Sequence, residues 1–534
     1  MRRFCIFLCC VVLSLSFMVS CRPMGDDLLS YGQNDSQVYH GMGKSHAKTF
    51  TALWTAMNEN YCIWDYEYEH GLDWDAVYHE YLPKFEALDD TSRQENPTAK
   101  ELTALYSSFL DSLHDGHLAI QIKMDYMSSP ITILPSRTRI MRERGEEYEI
   151  TDKYFTEPDI YEKITGEYHI VQLDEVEGAG FARKFMYRQL DSIIPRCETY
   201  LANLEPVKTN ESVAKTYDLV SKLLQTALLA RNTEAYKSHN ADLTLYNVLS
   251  TQYKSLGPLL DWEFVSIDKN VMDDPLEFLT VARFEGNILY LRFGSFRLTP
   301  HLEKSRQATD TSTFYYAYQQ EVIRVWHCWF DAIQKYHAEG NLGGVIIDVR
   351  NNGGGYVNDF KFLLGALLPS GGYTAGMMRM KNGIGRYDFS PLLPLVYPTY
   401  EGDHAVISEE PIVVISNVQS VSMSENTAWS AKTLANGALV GTRTSGGLCM
   451  LNTAPEEYST TYSGAFGVRD QTPIWGYVPK YVAMYDVENN GEYKIMESIG
   501  IAPTENVPFD LQSYQSTGRD NQLEAAIRYI NRHK

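Results

Sequence analysis

From Asn287 to the C-terminus, short apolar runs alternate with longer segments of helical period, and this alternation leaves few folds open. Gly344–Val349 (GVIIDV) and Pro411–Ser416 (PIVVIS) are near-continuous apolar runs, as in strands of a sheet covered on both faces. Asn287–Phe293 and Ala438–Gly441 read as further strands. Thr313–His337, Phe360–Leu368 and Ser424–Ala435 read as the helices between them. Strands separated by helices imply a largely parallel α/β sheet. Open sheets of this kind place their sites beyond the carboxyl ends of strands.

Two segments at such ends carry unusual residues. Asn417–Gly447 runs from the PIVVIS strand through a Ser-rich turn into a helix, then a strand that ends in Gly446-Gly447. A serine at a strand-to-helix turn is exposed, and the first N–H groups of the helix lack intrahelical partners. Such groups can hold an oxyanion. Ser422 is the preferred nucleophile, with Ser420 and Ser424 as competitors; Ser424 could instead cap the helix with Glu425. The second segment is Asp348-Val349-Arg350-Asn351-Asn352-Gly353-Gly354-Gly355. Its glycines permit φ > 0 and close backbone approach. A phosphate loop would need a following GK[ST], which is absent. A plain tight turn is the alternative.

The N-terminal part is different. Phe50, Leu53, Trp54 and Met57 share one helix face, and Trp74, Val77, Tyr78 and Tyr81 another. Leu102–Leu113 is a further helix, followed by His114-Asp115-Gly116-His117 and the strand-like Leu118–Ile122. Pro130–Pro275 reads as short strand-like runs such as Tyr168–Leu173, with a helical stretch over Thr209–Asn247 that sets Leu219, Leu223, Leu224 and Leu228 at helical spacing.

The chain of 534 residues is too long for one compact core. Its net charge of -21 argues against nucleic acid as a partner. Arg2 and Arg3 precede an apolar run over Phe4–Phe17, too short to span a membrane comfortably, so residues 1–20 read as a signal peptide. Met18-Val19-Ser20-Cys21 resembles a bacterial lipobox, with Cys21 lipidated and an ordinary secretory signal as the alternative. Beyond it only Cys62, Cys197, Cys328 and Cys449 remain, with no CxxC spacing. No metal or cofactor is indicated. Up to two disulfides are possible, with buried free thiols preferred.

Taken together, GGVIIDVRNNGGG, then SVSMSE after a buried strand, then GTRTSGG resemble the tricorn-like and C-terminal-processing serine peptidase family. The resemblance implies a ClpP/crotonase-like α/β core, with Ser422 as nucleophile and the backbone N–H groups of Met423 and of Gly353 or Gly354 as oxyanion donors. Processing proteases keep a catalytic lysine where this chain has Gly447. Lys432 lies ten residues along the helix from Ser422 and reads as part of a solvated face. The tricorn-like branch uses a histidine before the core and a distant glutamate. The resemblance assigns these to His117, with His114 as competitor, and to Glu497 in MESIGIAPTENV. The serine that precedes the histidine in that branch is Gly116 here, and Thr504 stands where an aspartate is usual.

The sequence thus predicts residues 1–20 as signal with lipobox Cys21, a tether over 21–45, a helical domain over 46–128, an accessory region over 129–285 that could be a divergent PDZ-like domain, and a peptidase core over 286–534. The expected protein is an exported, lipid-anchored serine endopeptidase of a bacterial cell envelope, facing periplasm or cell surface. Its substrate would be a peptide or protein, an extended chain pairing beside Gly446 and Gly447. A peptide-binding pseudoprotease is the alternative. A CoA-thioester enzyme on the related crotonase fold is a third reading, disfavoured by export.

Overall fold

The computed structural model describes residues 41–155, 181–232, 241–262, 265, 267, 279–451, 466–467 and 472–534. The leader 1–20, Cys21, most of the 21–45 tether and Tyr168–Leu173 lie outside the described residues. The chain divides into two compact units, each assembled from three stretches. The first takes 1–143, 376–395 and 446–499; the second takes 144–375, 396–445 and 500–534.

In chain order the main elements are helices α1 (His46–Asn60), α2 (Trp64–Glu69), α3 (Trp74–Glu86) and α4 (Ala99–Leu110), then strands β1 (Ala119–Ile122) and β2 (Ile131–Ile133). Helices α5 (Pro135–Phe155), α6 (Phe181–Leu204), α7 (Glu211–Asn232) and α8 (Ala241–Gln252) follow. Strands β3 (Thr280–Phe284) and β4 (Ile288–Arg292), helix α9 (Phe314–Ala338) and strands β5 (Gly344–Asp348), β6 (Tyr373–Met380), β7 (Leu393–Tyr397) and β8 (Ile412–Ser416) come next. The remainder is helix α10 (Met423–Thr433), strands β9 (Gly437–Gly441), β10 (Ile474–Tyr477), β11 (Tyr481–Met484) and β12 (Glu505–Asn506), and helices α11 (Leu511–Thr517) and α12 (Asn521–His533).

The first unit buries the faces that the N-terminal spacing marks out. Phe50, Leu53 and Met57 of α1, Trp74 and Tyr81 of α3, and Leu102 and Phe109 of α4 lie in one core. Helix α4 starts earlier than its leucine pattern predicts. Thr98 and Glu101 form a reciprocal cap, the Glu101 carboxylate accepting the Thr98 N–H at 2.7 Å, and Leu113 falls beyond the helix end. Strand β1 pairs antiparallel with both β10 and β2, so residues some 350 positions apart in sequence share one small sheet.

The second unit holds the expected α/β sheet. Its order is β12-β9-β8-β5-β4-β3; the β3–β4 pair is antiparallel and the other four pairs are parallel. Residues alternate between its two faces. Tyr290, Ile346, Val413, Ile415, Ala438 and Val440 pack with Leu523, Ala526 and Ile530 of α12. Helix α9 buries Val322, Val325, Trp329 and Ile333.

Three local expectations change. The stretch Phe360–Leu368, predicted as a helix, is two short 3₁₀ turns broken at Leu363. Phe360, Leu363, Leu364 and Leu367 are all buried, so no solvent face exists to pay for a regular amphipathic helix. The described part of Pro130–Pro275 is mostly helical, with β2 as its strand, rather than a set of short strands. Within it α7 buries Val220, Leu223, Ala227 and Ala230, while Leu219 and Leu228 are exposed. The small residues Ala227 and Ala230 allow close helix packing, and that decides the face over the larger leucines.

A buried polar cluster holds the segment after β5 in place. Arg350 reaches back to Asp348 at 2.6 Å and across to Asp520, the N-cap of α12, at 2.7 Å and to Gln522 at 3.0 Å. Tyr290 donates its hydroxyl to Asp348 at 2.9 Å. Burial alone would raise the Asp348 carboxyl, but Arg350 and Arg292 outweigh it and hold the group below its ordinary range. The chain leaving β5 is thereby fixed at the point where the glycines begin.

Candidate active site

In the second unit, Val421, Ser422, Met423 and Ser424 form a tight turn closed by the Ser424 N–H donating to the Val421 carbonyl at 3.1 Å. Ser422 has φ 59° and ψ -120°. That is the first central position of a type II′ turn, which glycine normally fills. A serine held there costs roughly 1–3 kcal/mol, and such strain concentrates at functional sites. The turn leads directly into α10. Among the described residues the Met423 N–H makes no hydrogen bond, as befits the first donor of a helix.

The rival serines are committed elsewhere. Ser420 donates its hydroxyl to the Val349 carbonyl at 2.8 Å, and Ser424 donates its own to the Asn352 carbonyl at 2.7 Å. The helix cap is Ser422 rather than Ser424, with the Glu425 carboxylate accepting the Ser422 N–H at 3.2 Å. Glu425 is fully buried and also takes the Thr444 hydroxyl at 2.6 Å. The sequence pairs Glu425 with Ser424 in the cap; the structure pairs it with Ser422. Lys432 is not on a solvated face: its ammonium donates to the Ala502 carbonyl at 2.9 Å, and burial lowers its pKa. That engagement binds it to the chain near β12.

The glycine segment is brought against the same turn. Gly354 has φ 86°, and a Cβ there would lie 2.7 Å from Ser422 Cβ and 2.8 Å from the Met423 nitrogen. Only glycine permits this approach. The Gly354 N–H donates to Asn352 Oδ1 at 2.9 Å, whereas Gly353 is exposed and its N–H has no partner among the described residues. Asn352 was not singled out by the sequence, yet it joins the two segments. Its carbonyl accepts the Val421 N–H at 3.1 Å, and its amide donates to the Phe293 carbonyl at 2.9 Å.

In the first unit, His117 sits between α4 and β1, with its N–H donated to Asp115 Oδ1 at 2.7 Å. Both ring nitrogens are buried without a hydrogen-bond partner among the described residues of that unit. Burial pushes the imidazole down to about 4, so it is neutral at pH 7. His114 is engaged differently, its Nδ1 lying 2.6 Å from Glu67 Oε2.

Glu497 is fully buried against Gly116, the residue that precedes this histidine. Its carboxylate accepts the N–H of Gly116 at 2.9 Å, of Leu448 at 2.7 Å, and of Cys449. It therefore grips the backbone next to His117 and makes no hydrogen bond to the ring. Burial raises both Glu497 and Asp115; Asp115 rises further because the Glu497 charge stands beside it. Asp115, which the sequence reading passed over, ties the same loop.

Gly446 and Gly447 are buried in this unit. The Gly446 carbonyl accepts the Ser498 N–H at 2.8 Å. A Cβ on Gly116 would collide with the Gly447 Cα and lie 2.7 Å from the Gly446 carbonyl oxygen. Two glycines thus meet backbone to backbone at the positions to which the resemblance assigns a serine and a lysine. Among the described residues no group of three or more His, Cys, Asp or Glu side chains could hold a metal ion.

Residues 302–465 match the model described as Peptidase family S41. Ser422, Met423, Gly353, Gly354, Gly446 and Gly447 fall inside the matched segment, and His117 and Glu497 outside it. No curated protein matches the chain. Solved structures similar to it include a protein from Parabacteroides merdae solved as a candidate peptidase, at 16% identity over 91% of this chain and 96% of that one, with a TM-score of 0.44. Mature CPAF complexed with lactacystin is similar at 13% identity over 92% and 97%, TM-score 0.42. The photosystem II D1 C-terminal processing protease is similar at 18% identity over 41% and 42%, TM-score 0.25.

The Gly116–Gly447 contact yields a direct prediction. Restoring the serine of the tricorn-like pattern by Gly116→Ser should lower stability by about 1–3 kcal/mol, because backbone must shift to admit the side chain. Urea unfolding measures it; a variant as stable as the parent would contradict the packing described.

Proposed function

We propose that this protein is a serine endopeptidase that works through an acyl-enzyme on Ser422. The observation that carries the reading is the strained turn at Ser422, set against Gly354 and leading into a free helix N–H, inside a segment of a serine peptidase family. Ser422 Oγ attacks the carbonyl carbon of the scissile peptide while His117, neutral at working pH, takes its proton. The developing oxyanion receives the N–H groups of Met423 and Gly353, with Gly354 as the wall that permits its approach. His117 then gives the proton to the leaving amine, and water releases the acyl group by the same steps in reverse. Glu497 is a positioning residue that holds the backbone before His117.

Two results test this. With a peptide substrate, Ser422→Ala and His117→Ala should each lose on the order of 10⁴-fold or more in kcat/KM, because groups acting as a unit fail together. The acid limb of the parent should fall near pH 4 rather than at the ordinary histidine value of 6.5. The sign for stability is the same: a depressed histidine contributes stability above 6.5 that is lost as pH drops toward 4. Substantial turnover without His117, or a limb at 6.5, would remove it from the role.

Export and anchoring belong to the same proposal and rest on Arg2, Arg3, the apolar run over Phe4–Phe17 and the lipobox-like Met18–Cys21. The protein would act on peptides or proteins at a bacterial cell envelope, held to the membrane by lipid on Cys21. Cys21→Ala should move it from the membrane to the soluble fraction; unchanged partitioning would sink the anchor.

A further inference from the structure

Cys62 and Cys449 are 387 positions apart in sequence and meet in the core of the first unit. Both are free thiols, buried at 0% and 1% exposure in the same core, and each thiol shifts the other's pKa through their side-chain interaction. The backbone on each side is fixed. Tyr61, just before Cys62, closes α1 by donating its N–H to the Met57 carbonyl at 2.9 Å. Cys449 donates its N–H to Glu497, and Met450 exchanges hydrogen bonds with Tyr481 at 2.8 and 3.0 Å. These bonds hold the two backbones in place on either side of the shared core.

We infer that Cys62 and Cys449 form a disulfide when the chain folds in the presence of a thiol-exchanging oxidant, and that the bond staples the 446–450 segment to the end of α1. The step is two successive exchanges with a low-molecular-weight disulfide. A Cys thiolate attacks the reagent and expels one thiol; the second cysteine then attacks the mixed disulfide and expels the other. Two protein thiols and one small disulfide become one protein disulfide and two small thiols. The folded state is a poor place to start. Burial raises both thiols, Cys449 the more, so little thiolate is present there. The bond therefore forms before the core closes and is afterwards shielded from reductant. Its place is specific: the staple ends at Cys449, whose N–H is one of the donors to Glu497, so it fixes the grip that Glu497 keeps on Gly116. The inference stands apart from the proposed peptidase activity, since its readout is covalent.

The test is to refold the full chain from denaturant in a buffer of reduced and oxidised glutathione, block free thiols with iodoacetamide without reduction, and map the digest by mass. A linked peptide pair containing Cys62 and Cys449 is expected, with Cys197 and Cys328 recovered alkylated. The oxidised protein should also unfold at higher urea than the same protein with reductant, and Cys62→Ala/Cys449→Ala should abolish that difference. Recovery of Cys62 and Cys449 as free alkylated thiols, or their linkage to other cysteines, would overturn the inference. Should refolding fail, the same map on chain exported into an oxidising compartment gives the same two outcomes.

Discussion

The carbonyl of Asn352 is the contact on which the Ser422 turn depends. It accepts the Val421 N–H and the Ser424 hydroxyl together. A single oxygen thus holds both ends of a turn whose middle residue, Ser422, has a backbone that serine does not choose. The Asn352 side chain faces the other way, taking the Gly354 N–H and reaching Phe293. The segment carrying Asn352 is itself anchored by the Arg350 cluster with Asp348 and Asp520. Strain at one serine is therefore balanced by a chain of buried polar bonds that runs back to the last helix. Each bond is short and shielded from water, where an unmet partner would be costly.

A second constraint accounts for the departures from the two known catalytic patterns. A glycine at 447 in place of lysine and a glycine at 116 in place of serine look like independent losses in the sequence. In the first unit they meet, because a side chain at Gly116 would run into the backbone of Gly446 and Gly447. Beside this contact the Glu497 carboxylate takes the Gly116 N–H, along with those of Leu448 and Cys449, and so holds the loop that carries His117.

How much of this could be read from the chain follows from the range of each signal. The buried strands at Gly344–Asp348 and Ile412–Ser416 and the helix after Ser422 are local, and their residues declare them. The three glycines after Asp348 likewise mark a close approach without naming its partner. Pairings between distant segments leave no local trace. Strand β1 against β10, or Glu497 against Gly116, is decided by tertiary packing, and each compact unit collects stretches hundreds of residues apart. Asn352 and Asp115 escaped notice for a related reason: a lone Asn or acidic residue in a loop looks solvated until its buried partners are known. Lys432 misled in the same way, its ammonium finding a carbonyl seventy residues on.

The central claim is that Ser422 is an armed nucleophile and not merely a strained turn residue. Covalent labelling with a fluorophosphonate probe, followed by mass mapping of the modified peptide, tests it most directly. The account predicts stoichiometric modification at Ser422, abolished in Ser422→Ala and unchanged in Ser420→Ala if that variant folds. A well-folded parent protein that takes up no probe at Ser422 would contradict it and leave a binding protein built on a peptidase core.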